Sequence, residues 1–456
     1  MNYIFENIDE ITYTDTQKES VFKKTVFAIF FIWMYQYIHL NYLSEVWSYM
    51  RYFKNELDFN QVILMYFFSL FPIYFYSGLK RISSYFSIII FVMAYIPIII
   101  TINYNNTEEL GSQTVLLNEA VLSLSMSIFF LIDRAKSIKS KEINFKIPFN
   151  WFHLIAGIIT GYLLYKFSGN MRFVGFADVY ELRFENSENS DSLSQYFTMW
   201  ATYFVYPIYF TIGLVGKNKI NLIIGIIGHI IIYMITGAKA SLLMPLIIFL
   251  FYSVLKKIKY FSLSQSLLFF IACFALLLFW VDIDALFVTR SVFLMRTLSM
   301  PGYLFSNYLS FFSTHPNTNY SHIGLVNSFT NSYPYGNDPI GVVIGNYDST
   351  NANANANFWA TDGVAAQGII GIVIITVIMF LFLLWINSLF KNRQSIFYIL
   401  VFTGEIFSLL NVSFFTTLLS SGLLFLVFIL KFFDFDKELS RYKKNTYEKT
   451  VDTDLI

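Results

Sequence analysis

Residues 83–103 read SSYFSIIIFVMAYIPIIITIN, a run without one acid or base, entered directly from Lys80 and Arg81. A helix rises 1.5 Å per residue, so about 20 apolar residues cross the roughly 30 Å hydrocarbon core of a bilayer. In that medium every backbone amide and carbonyl must find its partner internally, which leaves the helix as the spanning form. Working outward with the same length criterion gives twelve candidate passes. They lie at approximately 25–44, 62–79, 83–103, 115–133, 151–167, 197–215, 220–236, 240–255, 262–281, 368–390, 395–412 and 417–433. Composition agrees, because the 456 residues are 56% hydrophobic and only 13% charged, where a soluble domain carries roughly a quarter charged. The expected fold is all-α and polytopic, with about twelve transmembrane helices. An N-terminal segment (1–24) and a tail (434–456) flank a transmembrane domain (25–433) that contains two long loops, 168–196 and 282–367.

Sidedness follows from basic residues, which are enriched in cytoplasmic loops. With the N-terminus inside, 23 of the 31 lysines and arginines fall on the cytoplasmic side, and the connections KK, KR, RAKSIKSK, KNK, KKIK and KNR alternate correctly. Both termini are then cytoplasmic and both long loops extracytoplasmic. The polar, partly acidic start MNYIFENIDEITYTDTQKESVFKK is unlike a cleavable signal peptide, so the first helix reads as a retained anchor. The net charge of +1 gives no reason to expect a nucleic-acid partner. Cys273 is alone, which excludes an internal disulfide and a cysteine-clustered metal site. The absence of a P-loop, a Rossmann fingerprint and a GxSxG element disfavours nucleotide-driven chemistry.

Eight cations oppose the charge bias: Arg51, Lys54, Lys166, Arg172, Arg183, Lys239, Arg290 and Arg296. Four of them stand at loop–membrane junctions. Arg183 lies in FADVYELRFENSENSD near Asp178, Glu181 and Glu185; Lys239 lies in the small-residue turn TGAKAS; Arg290 and Arg296 lie in VTRSVFLMRTLSMPGY. Four cations at one lipid interface suit a lipid-linked diphosphate, because arginine forks grip phosphate oxygens and lysine adds a point charge. Snorkelling to head groups or pairing with local carboxylates is the other reading. The second loop adds His315 and His322 in FFSTHPNTNYSHIG, where Pro316 opposes a helix. Each histidine can act as base, donor or structural partner. Next, IGNYDSTNANANANFWATDGVAAQGIIG alternates Asn351, Asn353, Asn355 and Asn357 with alanine, a period that aligns carboxamides along one side of an extended chain. With Tyr347, Phe358 and Trp359 they form a candidate sugar surface. Glu119 and Glu405, with His39 and His229, are the polar groups inside predicted passes.

Taken in order, FADVYELR, TGAKASLLMP, RSVFLMRTLSMPGYLFSNYLSFFSTHPNTNYSH and IGNYDSTNANANANFWATDGVAAQGIIG make the region from Phe176 to Gly371 resemble the O-antigen polymerase family, the Wzy-type oligosaccharide repeat-unit polymerases. The resemblance implies a GT-C-like glycosyltransferase on the periplasmic face of a bacterial inner membrane. It would transfer a growing glycan from one undecaprenyl diphosphate to the sugar of an undecaprenyl-diphosphate-linked repeat unit, with no cofactor and no metal. Membrane lipid and a chain-length-determining co-polymerase are further implied partners. Arg290, Arg296 and Lys239 would bind donor diphosphate, and Arg183 would share that task or orient the acceptor. Asp178, Glu181 and His315 are the candidate bases. Tyr303, Tyr308, His322, the four asparagines and Trp359 would contact the substrate. An O-antigen ligase and a lipid-linked oligosaccharide flippase are the alternatives.

Overall fold

The computed structural model describes residues 20–136, 145–175, 179–256, 262–281, 283, 286–347, 353–391 and 396–440. Asp178 and Asn351 lie outside the described residues. The chain is an all-α polytopic membrane protein; among the described residues the single β pairing is an isolated bridge between Ile147 and Phe433. Eight helices are long and apolar enough to cross a membrane: α1 (Val21–Val46), α3 (Ile82–Leu110), α4 (Ser112–Arg134), α7 (Ser192–Val215), α8 (Lys219–Thr236), α9 (Lys239–Lys256), α10 (Leu263–Trp280) and α12 (Trp359–Leu389). The other four predicted positions also hold helices, in weaker form. They are α2 (Phe59–Phe75), α5 (Asn150–Phe167), α13 (Ile396–Leu409) and a pair bent by 55° at Gly422, α14 (Phe414–Ser421) and α15 (Leu423–Phe432). Between them lie α6 (Val179–Asn189) and α11, residues 287–314.

Local chemistry fixes the helix ends. Asp58 and Asp191 accept from the backbone of Gln61 and Ser194 in reciprocal caps, and Asn218 and Ser262 cap α8 and α10. Gly237 closes α8 at φ 59°, a conformation that costs glycine nothing. Successive helices run in opposite directions, so the termini gather at two ends. At the basic end, Arg81 donates to Ala135 O, Ser83 to Asp133, Asn387 to Ser83, and Lys146 to Lys431 O. At the far end, Arg51 faces Glu109, Lys54 faces Glu45, Lys166 faces Asp191, and Arg172 faces Glu181 and Glu185.

The expected long loop 282–367 is largely ordered helix within the bundle, which corrects the sequence reading. Helix α11 starts at the far end, where Phe287 stacks on Trp47 just beyond the regular part of α1. It descends along Phe91–Tyr95 of α3 until Ser299 hydrogen-bonds Tyr35 in the middle of α1. It then bends and climbs back parallel to α3. Gly302 abuts Pro97, Ser306 meets Asn105 and Asn106, and Ser310 donates to Glu109. A second chain reversal follows. Residues 353–358 descend in extended form, Trp359 reaches Ser125 in the middle of α4, and the chain returns as helix to Ala366. Gly368, at φ 59°, turns it down again as the long arm of α12. The two arms touch where a Cβ on Gly371 would lie 2.1 Å from Gly363 O.

Hydropathy misses α11 because polar residues are interspersed with the apolar ones it buries: Ser299, Ser306, Asn307 and Ser310 are buried alongside Leu298, Phe305 and Leu309. Asn105 and Asn106 supply matching donors from α3. Gly302 is the tightest point of that seam, since an added Cβ would stand 2.5 Å from Pro97 O. Gly302→Ala is therefore expected to cost about 1–3 kcal/mol through overpacking, while Gly157→Ala, with open space around it, is neutral or stabilising. Denaturation of the detergent-solubilised protein checks this, and equal stability of the two variants would refute the seam. Sidedness is checked in a Cys273→Ala background: Phe329→Cys should react with a membrane-impermeant thiol reagent in intact cells, and Lys217→Cys only after permeabilisation.

Candidate functional site

Helix α11 carries two of the four singled-out cations on a distorted stretch. Residues Ser291–Ser299 form a π-helix, the longest of six such segments among the described residues. Insertions of this kind recur at functional sites, because they re-aim side chains and release backbone carbonyls. Arg290 and Arg296 flank and occupy it but face differently. Arg290 is 7% exposed and donates from Nη2 to Ile283 O at 3.4 Å. Arg296 is exposed, within a turn of the bend that reaches mid-bundle depth.

Where α11 returns to the far end, its last residues enter an aromatic cluster. His315 stacks on Phe311 at 4.0 Å, and Tyr335 and Tyr347 pack around the pair. Arg51 lies over the Tyr347 ring at 5.4 Å and bonds Glu109, which accepts from Ser310. Nδ1 of His315 lies 3.0 Å from Phe311 O and 2.9 Å from the Thr314 hydroxyl, and the residue is exposed. Burial pushes the nearby Tyr333 and Tyr335 hydroxyls up to about 12, so both stay neutral donors, to Asp338 O and Pro316 O.

The asparagine repeat keeps its period of two for only part of its length. Asn353 and Asn355 are exposed and alternate with buried Ala354 and Ala356. Asn357 is instead fully buried, its Oδ1 accepting from the amides of Trp359 and Ala360 as a helix cap. Trp359 is also fully buried, stacked on Phe129 with Nε1 donating to Ser125. Tyr303 stacks on Tyr52, and Tyr308 donates to Ala354 O. These four, expected on a sugar surface, are packing and capping groups.

Sequence reading passed over Asp362. Its Oδ1 lies 3.4 Å from Nε2 of His322, and its Oδ2 accepts from the amide of Phe414, with Ser413 also in hydrogen-bond contact. Thr318 donates its hydroxyl proton to Ala365 O and therefore accepts from Nδ1 of His322. Nε2 then needs a proton for its contact with Asp362, so one proton is held between them. The group is buried, with Asp362 at 0% and the His322 side chain at 4% exposure. Its sequence signal is an acid in the glycine-rich ATDGVAAQG just before a span, the kind of intramembrane charge that marks function.

Arg183 and Lys239 both lie at the α8–α9 turn. Arg183 donates to Thr236 O and Gly237 O, the bare carbonyls at the end of α8, and Asn186 donates to Ile235 O. Lys239, half-buried, begins α9 two residues beyond that turn. A cavity of about 560 Å³ opens beside Arg183, lined by Asn186, Ser192, Ser194, Gln195, Thr236 and Ser420 among others. The lining mixes hydroxyls, carboxamides and one guanidinium with Phe167, Tyr196, Met199 and Ile235. Glu181 is drawn toward Arg172 at 3.7 Å. The Arg172 hydrogen bond holds the Glu185 carboxyl below the ordinary carboxylate range. Comparisons with protein-family models, with curated proteins and with solved structures return no match.

Asp191, at the cavity rim, accepts from the Ser194 amide first, then from Tyr162 and Lys166, which together hold its carboxyl well below the usual range. A depressed carboxyl stabilises the fold above its unfolded value and loses that contribution as pH falls through its folded value. The melting-temperature difference between wild type and Asp191→Ala should therefore persist below about pH 4 and close only in stronger acid. Closure near pH 4 would show that the cap does not form.

Proposed function

We propose that the chain polymerises lipid-linked oligosaccharide repeat units on the extracytoplasmic face of a bacterial inner membrane, its far end facing outward. It transfers a growing glycan from an undecaprenyl-diphosphate donor to a sugar hydroxyl of an undecaprenyl-diphosphate-linked acceptor. A twelve-pass, GT-C-like arrangement with cytoplasmic termini belongs to the same proposal. The observation that carries it is α11, which holds Arg290 buried near its start at the far end and Arg296 exposed six residues further along. A diphosphate anchored by a polyprenyl chain resides at that kind of boundary, between a water-facing end and an apolar interior.

The chemistry follows from the groups available. As the bond from the anomeric carbon to the diphosphate breaks, negative charge grows on the departing oxygens, and guanidinium groups already in position stabilise it without reorganisation. The acceptor hydroxyl loses its proton as the new glycosidic bond forms, and the exposed His315 imidazole, stacked on Phe311, is the base that can take it. Arg183, Lys239 and the adjoining cavity supply a second place with a cation and many hydroxyls, which a reaction joining two lipid-linked glycans requires.

Purified protein incubated with undecaprenyl-diphosphate-linked repeat units should yield a ladder of longer glycans. Arg290→Ala and Arg296→Ala should each lower the rate about 100- to 1000-fold. His315→Ala should lower it about 100-fold or more and remove the acidic limb of the pH profile. In cells, loss of a polymerase leaves single repeat units attached to the final acceptor, whereas loss of a ligase leaves none. Full activity in both arginine variants, or translocation without lengthening, would overturn the proposal.

A further inference from the structure

Glu405 is fully buried in α13, and neither of its carboxyl oxygens has a hydrogen-bond partner among the described residues. Every other buried acid has one: Glu119 accepts from Asn103, Asp133 from Ser83, and Asp362 from Phe414 and His322. An ionised carboxylate in an apolar interior costs several kcal/mol even after relaxation, unless a counter-charge or donors compensate it. No lysine, arginine or histidine among the described residues pairs with Glu405. The titratable groups on the elements packed around it are phenols, Tyr203 from the π-helical Ala201–Val205 and Tyr85, whose hydroxyl is engaged by Thr403. Asp362 lies further off, beyond Ser413 and Phe414.

The backbone holds the group in this place. Gly404 abuts the Tyr203 carbonyl so closely that an added Cβ would stand 2.4 Å away, which presses α13 against α7. One turn on, Ser408 shares hydrogen bonds with Thr417 and Ser421 of α14, and Thr417 returns its proton to Ser413 O. The hydroxyls of that cluster satisfy one another, so Glu405 gains nothing from them.

We propose that Glu405 is a proton-binding site: the folded bundle holds it as the neutral acid, and its loss of the proton requires α13 and α14 to unseat from α7. The bound proton replaces the counter-charge that the site lacks. Nothing in this inference depends on the glycan reaction, and it applies equally to a transporter.

Infrared difference spectroscopy of the protein in lipid nanodiscs tests it. Wild type minus Glu405→Gln at pH 7 should show the carbonyl stretch of one protonated carboxylic acid, shifted in deuterium oxide and unaffected by sodium. Glu405→Asp, which keeps a carboxyl one methylene shorter, should retain a displaced band and provides the assignment should the glutamine variant not fold. Loss of carboxylate bands instead of an acid band would overturn the proposal. So would an acid band that sodium abolishes, which would make this an alkali-cation site.

Discussion

The Asp362 carboxylate is the contact on which the interior of this bundle depends. Two segments turn back inside the protein: the returning arm that opens α12, and the α13–α14 turn arriving from the basic end. A chain that turns inside an apolar bundle leaves backbone amides bare, and each costs free energy until an acceptor is found. Asp362, on the returning arm, accepts from Phe414 and contacts Ser413 of the α13–α14 turn, and it also holds His322 of the 317–322 segment. A single side chain thereby joins the turn of α13–α14 to the 317–322 segment, which pairs with Val364–Ala366 through Asn317, Thr318 and Asn319.

This junction places the outward-facing groups. The 317–322 segment follows directly on His315 and ends α11, so the seat of α11 against α3 and the seat of the returning arm are set together. The polar seam of α11, with serines against Asn105 and Asn106, has the composition expected where helices associate without a hydrophobic gain: small residues allow close approach and side-chain amides bridge. The π-helical distortion between Arg290 and Ser299 lies where the helix must bend, and it puts the two arginines on different sides.

Much of the fold was legible in the sequence because the bilayer imposes length. Each of the twelve predicted positions holds a helix, and at one end of the bundle Arg81 meets Ala135 and Lys146 meets Lys431. What hydropathy does not register is polar surface buried against polar surface. Helix α11 mixes serines, asparagine and two arginines among its buried apolar residues, which lowers its hydropathy, so it read as loop. The asparagine repeat was legible as an extended stretch at Asn353 and Asn355, but periodicity carries no information on where such a stretch ends. Asn357 ends it by capping a helix and so turns inward. Trp359 read as a surface platform because tryptophan is common at polar margins; its indole N–H finds Ser125 inside instead. Asp362 was overlooked because its partners, His322 and Phe414, are 40 and 52 residues away.

The central claim is that one carboxylate couples both turned-in segments, and hydrogen–deuterium exchange resolved by peptide tests it most directly. Asp362→Asn keeps an acceptor oxygen and should keep the Phe414 region protected. Asp362→Ala should raise exchange together at residues 413–417 and 317–322, while the far arm of α12 and helix α3 stay unchanged. Increased exchange confined to one of the two segments, or none at either, would contradict the account.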